Sequence, residues 1–335
     1  MRLFFIAVIL LLLVTDVAGC TAEERGSLVI YTALFEDHAI KVAEAFQKET
    51  GIKVSYVRLS SGQILARIRS ERIHPGADIW LGGPADTFVQ AETEGLLEPY
   101  ISPNANAIDP VYKDHDGHWT GIYVGSIAFV SNQKWLQEVG LPPPQSWYDL
   151  IKPQYKGMVS MADPRSSGTA YTTFATLVQL FGEEEAFSYL KKLHGQIGEY
   201  KTSGNVTGRN VGMGEVGTAI MFSHDGIKYY KEGFRDLVIT FPNEGTGYEI
   251  GAIAIVKGTS NLSEARRFVD WALTRQAQEL GKQVGSYQLL TNKNAVPPEE
   301  AIPLASLNVI PYDHVWAGEN RERLLSRWEK EVLNQ

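Results

Sequence analysis

The sequence predicts an α/β protein of two doubly wound lobes joined by a two-strand hinge. Three observations predict it. Short apolar runs alternate with amphipathic stretches in a βαβαβ order, which implies a mostly parallel sheet covered on both faces. Two strand patterns, residues 121–130 and 249–256, are apolar on both alternating faces, as strands buried in the middle of the molecule would be. The chain of 335 residues also exceeds the usual size of a single core.

The N-terminus sets where folding begins. Arg2 leads into the apolar stretch of residues 3–15, which is too short to span a bilayer and reads as an export signal over residues 1–19. The following Val17-Ala18-Gly19-Cys20 resembles the lipobox at which bacterial lipoproteins are cleaved and acylated. That resemblance makes Cys20 the lipidated first residue of an exported chain, held on the periplasmic or outer face of a bacterial membrane, with residues 20–26 as a polar tether. Cys20 is the only cysteine, so an internal disulfide or a thiolate metal site is excluded.

The elements then follow in order. Leu28-Val29-Ile30-Tyr31 is a buried-strand pattern. Ala39, Val42, Ala43 and Phe46 repeat at helical spacing, and Gly51 stands where a helix end wants a left-handed residue. Residues 52–59 read as a strand, 64–71 as a helix, 77–81 as a strand, and Gly82-Gly83-Pro84 as a turn. The strand at 121–130, followed by the stiff Leu141-Pro142-Pro143-Pro144, is a candidate inter-lobe crossing. Ser146 is expected to cap a helix, with Asp149 at the capping-box position. Strands at 158–161 and 216–222 and helices at 169–181 and 184–193 build a second α/β unit. The strand at 249–256 returns the chain to the first lobe, and helices after Asn261 complete it. The expected division is residues 27–125 with 250–300 in one lobe, and 126–249 with 301–335 in the other.

Composition limits function. Hydrophobic content of 44% and charged content of 21% are those of a globular protein. A net charge of −8 argues against a nucleic-acid partner, which needs a basic surface to displace counterions. It does not argue against a small anion, because a narrow cleft is governed by its own donors. No G-x-S-x-G, H-E-x-x-H or P-loop is present, so no enzyme motif organises the chain and no cofactor is expected.

Several phrases, spread over the whole exported chain, carry a resemblance. They are Val29-Ile30-Tyr31-Thr32-Ala33, the segment from Pro143 through Trp147 to Leu150, Tyr155-Lys156-Gly157 and Gly214-Glu215-Val216. In order and spacing they resemble the ferric-type periplasmic binding proteins that serve ABC importers. The resemblance implies a two-lobed, type II fold with a closing cleft, a monomer, permease subunits as partners and no catalysis. Iron-binding members carry adjacent tyrosines shortly after the Gly-Glu-Val phrase, but here that place holds Ser223-His224-Asp225-Gly226. Tyr229 and Tyr230 follow on an expected helix, where neighbours diverge by about 100°. With Gly247-Tyr248-Glu249 downstream, the chain looks more like members that bind sugar phosphates or similar organophosphates. Ferric iron on Tyr229 and Tyr230, and a sensing role beside a histidine kinase, are the alternatives.

The candidate ligand residues lie where strands give way to helices. Ser167, Gly168 and Thr169 offer backbone donors and hydroxyls at a helix start, suited to a phosphate. Ser60 and Ser61 do the same in the other lobe, with Thr32 at the end of the first strand and Gly83 in the turn. Ser203 and Asn205 stand in a polar loop. His224, Asp225 and Glu249 would hold hydroxyl groups. Among the other histidines only His115 and His118 approach a metal-ligand spacing, and with no further ligand evident no metal site is expected.

Overall fold

The computed structural model describes residues 26–334. The expected export signal, Cys20 and nearly all of the tether lie outside the described residues. Among those described, no helix is long and apolar enough to cross a membrane.

The first lobe begins with β1 (Ser27–Thr32), α1 (Glu36–Thr50), β2 (Lys53–Arg58), α2 (Ser61–Ser70), β3 (Ile79–Pro84), α3 (Ala85–Thr93) and the short β4 (Leu97–Glu98). β1 pairs in parallel with β2 and β3, as right-handed βαβ crossovers require. Helix α1 buries Ala39, Val42, Ala43 and Phe46 and stops at Gly51, whose φ of 74° lets its N–H reach Gln47 O at 2.8 Å. One face of the sheet packs Phe46 edge-on against Phe268 and Trp271, with ring centroids 4.8 and 5.3 Å apart. The other face stacks Trp80 on Phe88 at 4.1 Å. Each such fully buried ring contributes on the order of 2–3 kcal/mol.

The chain leaves this lobe along β5 (Thr120–Asn132), every residue of which is buried. Its first half pairs with β10 (Tyr248–Val256) and its second half with β8 (Thr218–Phe222) and β9 (Leu237–Thr240). The main strand path runs β2-β1-β3-β10-β5-β8 and then β6 (Val159–Ala162) and β7 (Ile197–Lys201), with β4 beside β10 and β9 beside β5, so one strand belongs to both sheets. The second lobe adds α4 (Gln133–Glu138), β6, α5 (Gly168–Phe181), α6 (Glu183–His194), β7, α7 (Thr207–Gly212) and α8 (Ser223–Lys231). Its core contains Trp147, Tyr155, Tyr171, Phe174 and Phe187. After β10 the chain rebuilds the first lobe with α9 (Leu262–Ala272), α10 (Arg275–Gln278) and β11 (Leu289–Leu290), which pairs with β5. It ends with α11 (His314–Glu319) and α12 (Arg321–Trp328), whose Ala317, Leu324 and Trp328 join the second core.

Three expectations are corrected. Gly82 and Gly83 are the end of β3, not a turn: their φ values of 81° and 98° bend the strand where Ser61 Oγ would lie 2.1 Å from a Cβ on Gly83. The proline run at 141–144 stays in the second lobe, where Pro144 O accepts from Thr240 Oγ1, while β5 and β10 make the crossing. Ser146 caps a single 3-10 turn, Trp147–Ile151, because Pro153 soon ends it. The capping box with Asp149 does form.

The lobes meet closely. The Asp86 carboxylate, at the start of α3, accepts from Thr172 Oγ1 on α5 at 2.8 Å and from Tyr312 OH at 3.0 Å. Arg321 on α12 donates to Gln90 Oε1 of α3 at 3.2 Å and to Pro164 O at 3.1 Å. Gly318 touches α3 so closely that a Cβ would sit 2.5 Å from Val89.

Candidate functional site

A cleft lies between the lobes where β5 and β10 cross. It is bounded by the starts of α2 and α3 from the first lobe and of α5 and α8 from the second. First-turn N–H groups have no intrahelical partner, so each of these ends presents donors and the positive pole of its helix.

On the first-lobe side, Ser60 forms a capping box with Gln63. Its hydroxyl donates to Ser166 O at 2.6 Å, and Gly62 N–H donates to the same oxygen at 3.0 Å. A Cβ on Gly62 would meet Arg165 O at 2.4 Å, and one on Gly168 would meet Pro84 Cδ at 2.5 Å. Glycine at these two positions is what allows the lobes to approach. Arg58, at the end of β2, is the cation lining this space. Its Nε donates to Leu34 O at 3.3 Å and its Nη2 donates to Ser203 Oγ at 3.3 Å across the cleft. Burial lowers the Arg58 pKa and Asp225 opposes that, so the guanidinium remains charged.

On the second-lobe side, Ser167 caps α5 by accepting from Ala170 N–H, which leaves the N–H groups of Gly168 and Thr169 facing the cleft. Ser203 Oγ also donates to Asn205 Oδ1 at 2.8 Å.

A second group of side chains in the cleft is acidic. His224 Nε2 lies 3.3 Å from Asp225 Oδ1 and 3.6 Å from Glu249 Oε1. Burial pushes His224 down to about 3, so it is neutral, with its Nε2 placed between the two carboxyl groups. Burial pushes Asp225 up to about 7, against the pull of Arg58 and Lys228. Glu249 is raised well above the usual carboxyl range, first by burial and then by Asp225 and Asp86. His224 stacks on Phe222, with centroids 5.5 Å apart. A Cβ on Gly125 would lie 2.3 Å from its Nδ1. Tyr123 OH accepts from Gly83 N–H at 3.0 Å, and burial keeps the phenol protonated with a proton left to donate.

Ser60, Ser61, Gly83, Ser167, Gly168, Thr169, Ser203, Asn205, His224, Asp225 and Glu249 therefore line one cleft. Thr32 does not: its hydroxyl donates to Leu81 O at 2.9 Å and accepts from Leu34 N–H at 3.2 Å. Arg165, two residues before Ser167, pairs with Asp163 and Glu329 at 2.6 and 3.0 Å. Tyr229 OH donates to Asn205 O at 2.8 Å, and Tyr230 lies at the surface beside Arg235. Neither lines the cleft. The sequence reading missed Leu34, Phe35, Arg58, Pro84, Tyr123, Phe222 and Gln288. Arg58 ends a strand, so the strand-end rule that selected Ser60 would have reached it. Tyr123 sits inside a strand, and Gln288 sits in a connecting segment beside β11, so no local signal marks either.

Residues 75–314 match the family described as bacterial extracellular solute-binding protein. An uncharacterized protein of Haemophilus influenzae is 39% identical over 320 residues, covering 93% of this chain and 92% of its own. The solved periplasmic binding protein AfuA from Actinobacillus pleuropneumoniae, with exogenous fructose-6-phosphate bound, matches with a TM-score of 0.90 and 39% identity. That match covers 92% of this chain and 99% of that one. A Fe(3+)-binding periplasmic protein of Serratia marcescens is 24% identical over 302 residues, covering 88% of each chain.

Proposed function

The chain belongs to the bacterial extracellular solute-binding proteins, and on that premise we propose that it captures a small phosphorylated organic anion, such as a sugar phosphate, for an ABC importer. The observation that carries this reading is the pairing of two sets of groups in the cleft. One set of lining groups is Arg58, serine hydroxyls and helix N-termini, which suit a phosphate. The other set is Asp225, Glu249 and a neutral His224, which suit hydroxyl groups of a sugar. Neither set alone would choose a sugar phosphate over inorganic phosphate or a neutral sugar; together they match a ligand with both kinds of group. AfuA, with fructose-6-phosphate bound, supports the same ligand class.

Ferric iron fits less well. A hard trivalent ion wants deprotonated phenolates, whereas Tyr229 is turned to Asn205 O and Tyr123 is held protonated by burial. The ligand bridges the lobes and favours the closed arrangement in proportion to its contacts with both. The closed pair then docks on permease subunits, the protein acting as a monomer held to the membrane through lipid on Cys20. Calorimetric titration with fructose-6-phosphate, 2-aminoethylphosphonate, inorganic phosphate and ferric citrate tests the reading. Tight binding of the sugar phosphate is expected. Tight binding of ferric citrate alone, with phenolate charge-transfer colour, would overturn it.

A further inference from the structure

Outside the cleft, three metal-ligating side chains from two parts of the first lobe converge. Glu92 comes from the last turn of α3, and Asp114 and His118 come from the loop that leads into β5. His118 Nδ1 lies 3.1 Å from Asp114 Oδ2 and 3.2 Å from Glu92 Oε1, and the three donor atoms fall within 4.8 Å of one another. A cation held about 2.1 Å from each donor sets donor separations of roughly 3.0–3.4 Å for angles between octahedral and tetrahedral. The two nitrogen-to-oxygen distances lie in that interval.

The loop is built to hold this arrangement. Asp114 Oδ2 accepts from the backbone N–H of Asp116 at 3.1 Å and of His118 at 2.9 Å, which fixes the carboxylate with that same oxygen in hydrogen-bond contact with His118 Nδ1. A second feature points the same way. The Trp119 indole is buried next to Glu92, and its Nε1–H meets that carboxylate in a contact too poorly aligned to make a full hydrogen bond. A buried indole N–H left without a full hydrogen bond costs about 1–3 kcal/mol. The cost is relieved when Glu92 binds a cation through one oxygen and accepts from Trp119 through the other, the usual outer-shell arrangement for a carboxylate ligand.

The geometry points to a binding site for a divalent transition-metal cation of the zinc class, held by Glu92, Asp114 and His118 with Trp119 as outer-shell support. One nitrogen and two carboxylate oxygens suit such an ion better than calcium or magnesium, which prefer all-oxygen cages. A surface pocket lined by Asp114, His115 and Lys113 adjoins the site and leaves room for water as a fourth ligand. His115, the partner that chain spacing alone suggested, is not among the converging groups. Bound there, the ion would tie the end of α3 to the entry of the hinge strand β5. None of the three ligands lines the cleft, so this inference stands whether or not the proposed ligand of the cleft is right.

Calorimetric titration of the chelator-stripped full chain with zinc chloride tests it, in a Cys20→Ser background so that the lone thiol does not compete. Saturable binding of one ion per chain is expected. His118→Ala and Glu92→Gln should each weaken it by about a hundredfold or more, Trp119→Phe by about tenfold, and His115→Ala should leave it unchanged. Cobalt(II) should give visible absorption in the parent that His118→Ala abolishes. No saturable binding below millimolar zinc, or equal affinity in the parent and His118→Ala, overturns the proposal. Circular dichroism in chelator confirms that each variant is folded.

Discussion

Arg58 Nη2 and Ser203 Oγ stand 3.3 Å apart on opposite walls of the cleft, so the cation that would take a phosphate belongs to one lobe and its hydroxyl neighbour to the other. A ligand oxygen placed between them touches both walls at once. Binding and closure are then a single event. Arg58→Ala should weaken fructose-6-phosphate binding by roughly 10- to 100-fold, the worth of one charge-assisted hydrogen bond at about 1.5–3 kcal/mol. Arg58→Lys should recover only part of that, because an ammonium cannot reach Leu34 O and the ligand together. Titration calorimetry on the three proteins checks this, and equal affinities would remove Arg58 from the site.

Gly62 is the hard stop of closure. A methyl group there would press on Arg165 O at 2.4 Å and Ser166 O at 2.7 Å, both backbone atoms of the other lobe. Gly62→Ala should hold the lobes apart, giving a larger radius of gyration with saturating ligand than the parent shows and an affinity reduced at least tenfold. Alanine favours helix over glycine by about 1 kcal/mol, so a weakened α2 would not explain the loss. Small-angle scattering that shows the same compact form in both proteins would mean that the contact yields.

Asp225 makes stability depend on pH. Its folded pKa, near 7, lies above that of an unfolded aspartate near 4. Below pH 4 both states hold the proton and nothing is lost. As pH rises through that window the unfolded state releases its proton first, so stability falls, and the full cost is reached above 7. Asp225→Asn should therefore be more stable than the parent at pH 8, by on the order of 1–3 kcal/mol, with no gain at pH 4. Denaturant titrations at the two pH values measure it. The same variant should bind a sugar phosphate more weakly.

His314 acts with the opposite sign. It is buried between Tyr248 and Tyr312, with ring centroids 4.9 and 4.7 Å away, and neither of its ring nitrogens has a partner. Burial lowers it to about 3, so as pH falls from about 6.5 the unfolded state gains a proton that the folded state does not, and stability is lost. His314→Phe should flatten the acid limb of the stability curve by up to about 1.4 kcal/mol per pH unit. An unchanged slope would show that His314 titrates alike in the folded and unfolded states.

Tyr312 and Thr172 hold Asp86, which is wholly buried between the lobes. Tyr312→Phe removes one donor from that carboxylate and should cost about 1–3 kcal/mol, read as a fall in melting temperature.

The fold was legible because its signals are periodic. The apolar repeat of α1, the left-handed Gly51 and the doubly apolar strands β5 and β10 each follow from one local rule. Helix α3 escaped the reading because it is buried almost all round, so its residues show little amphipathic contrast. In the cleft, strand ends marked the serines, His224 and Asp225. Thr32 obeyed the same rule and yet its hydroxyl is taken by Leu81 O, a pairing set by a strand forty-nine positions away. Arg58 looks like any charged residue at a strand end until its head is seen held by Leu34 O. The cluster of Glu92 with Asp114 and His118 joins segments that no spacing rule connects.

The shared strand β5 has a consequence for how the molecule can be taken apart. Its residues up to Ser126 complete one sheet and those from Ile127 complete the other. Splitting the chain between them would leave both halves with a frayed, unpaired border open to self-association. The lobes are separate as cores but not as fragments: neither should survive alone as a tidy truncation, whereas two complementary pieces cut in a surface loop far from β5 could reassemble.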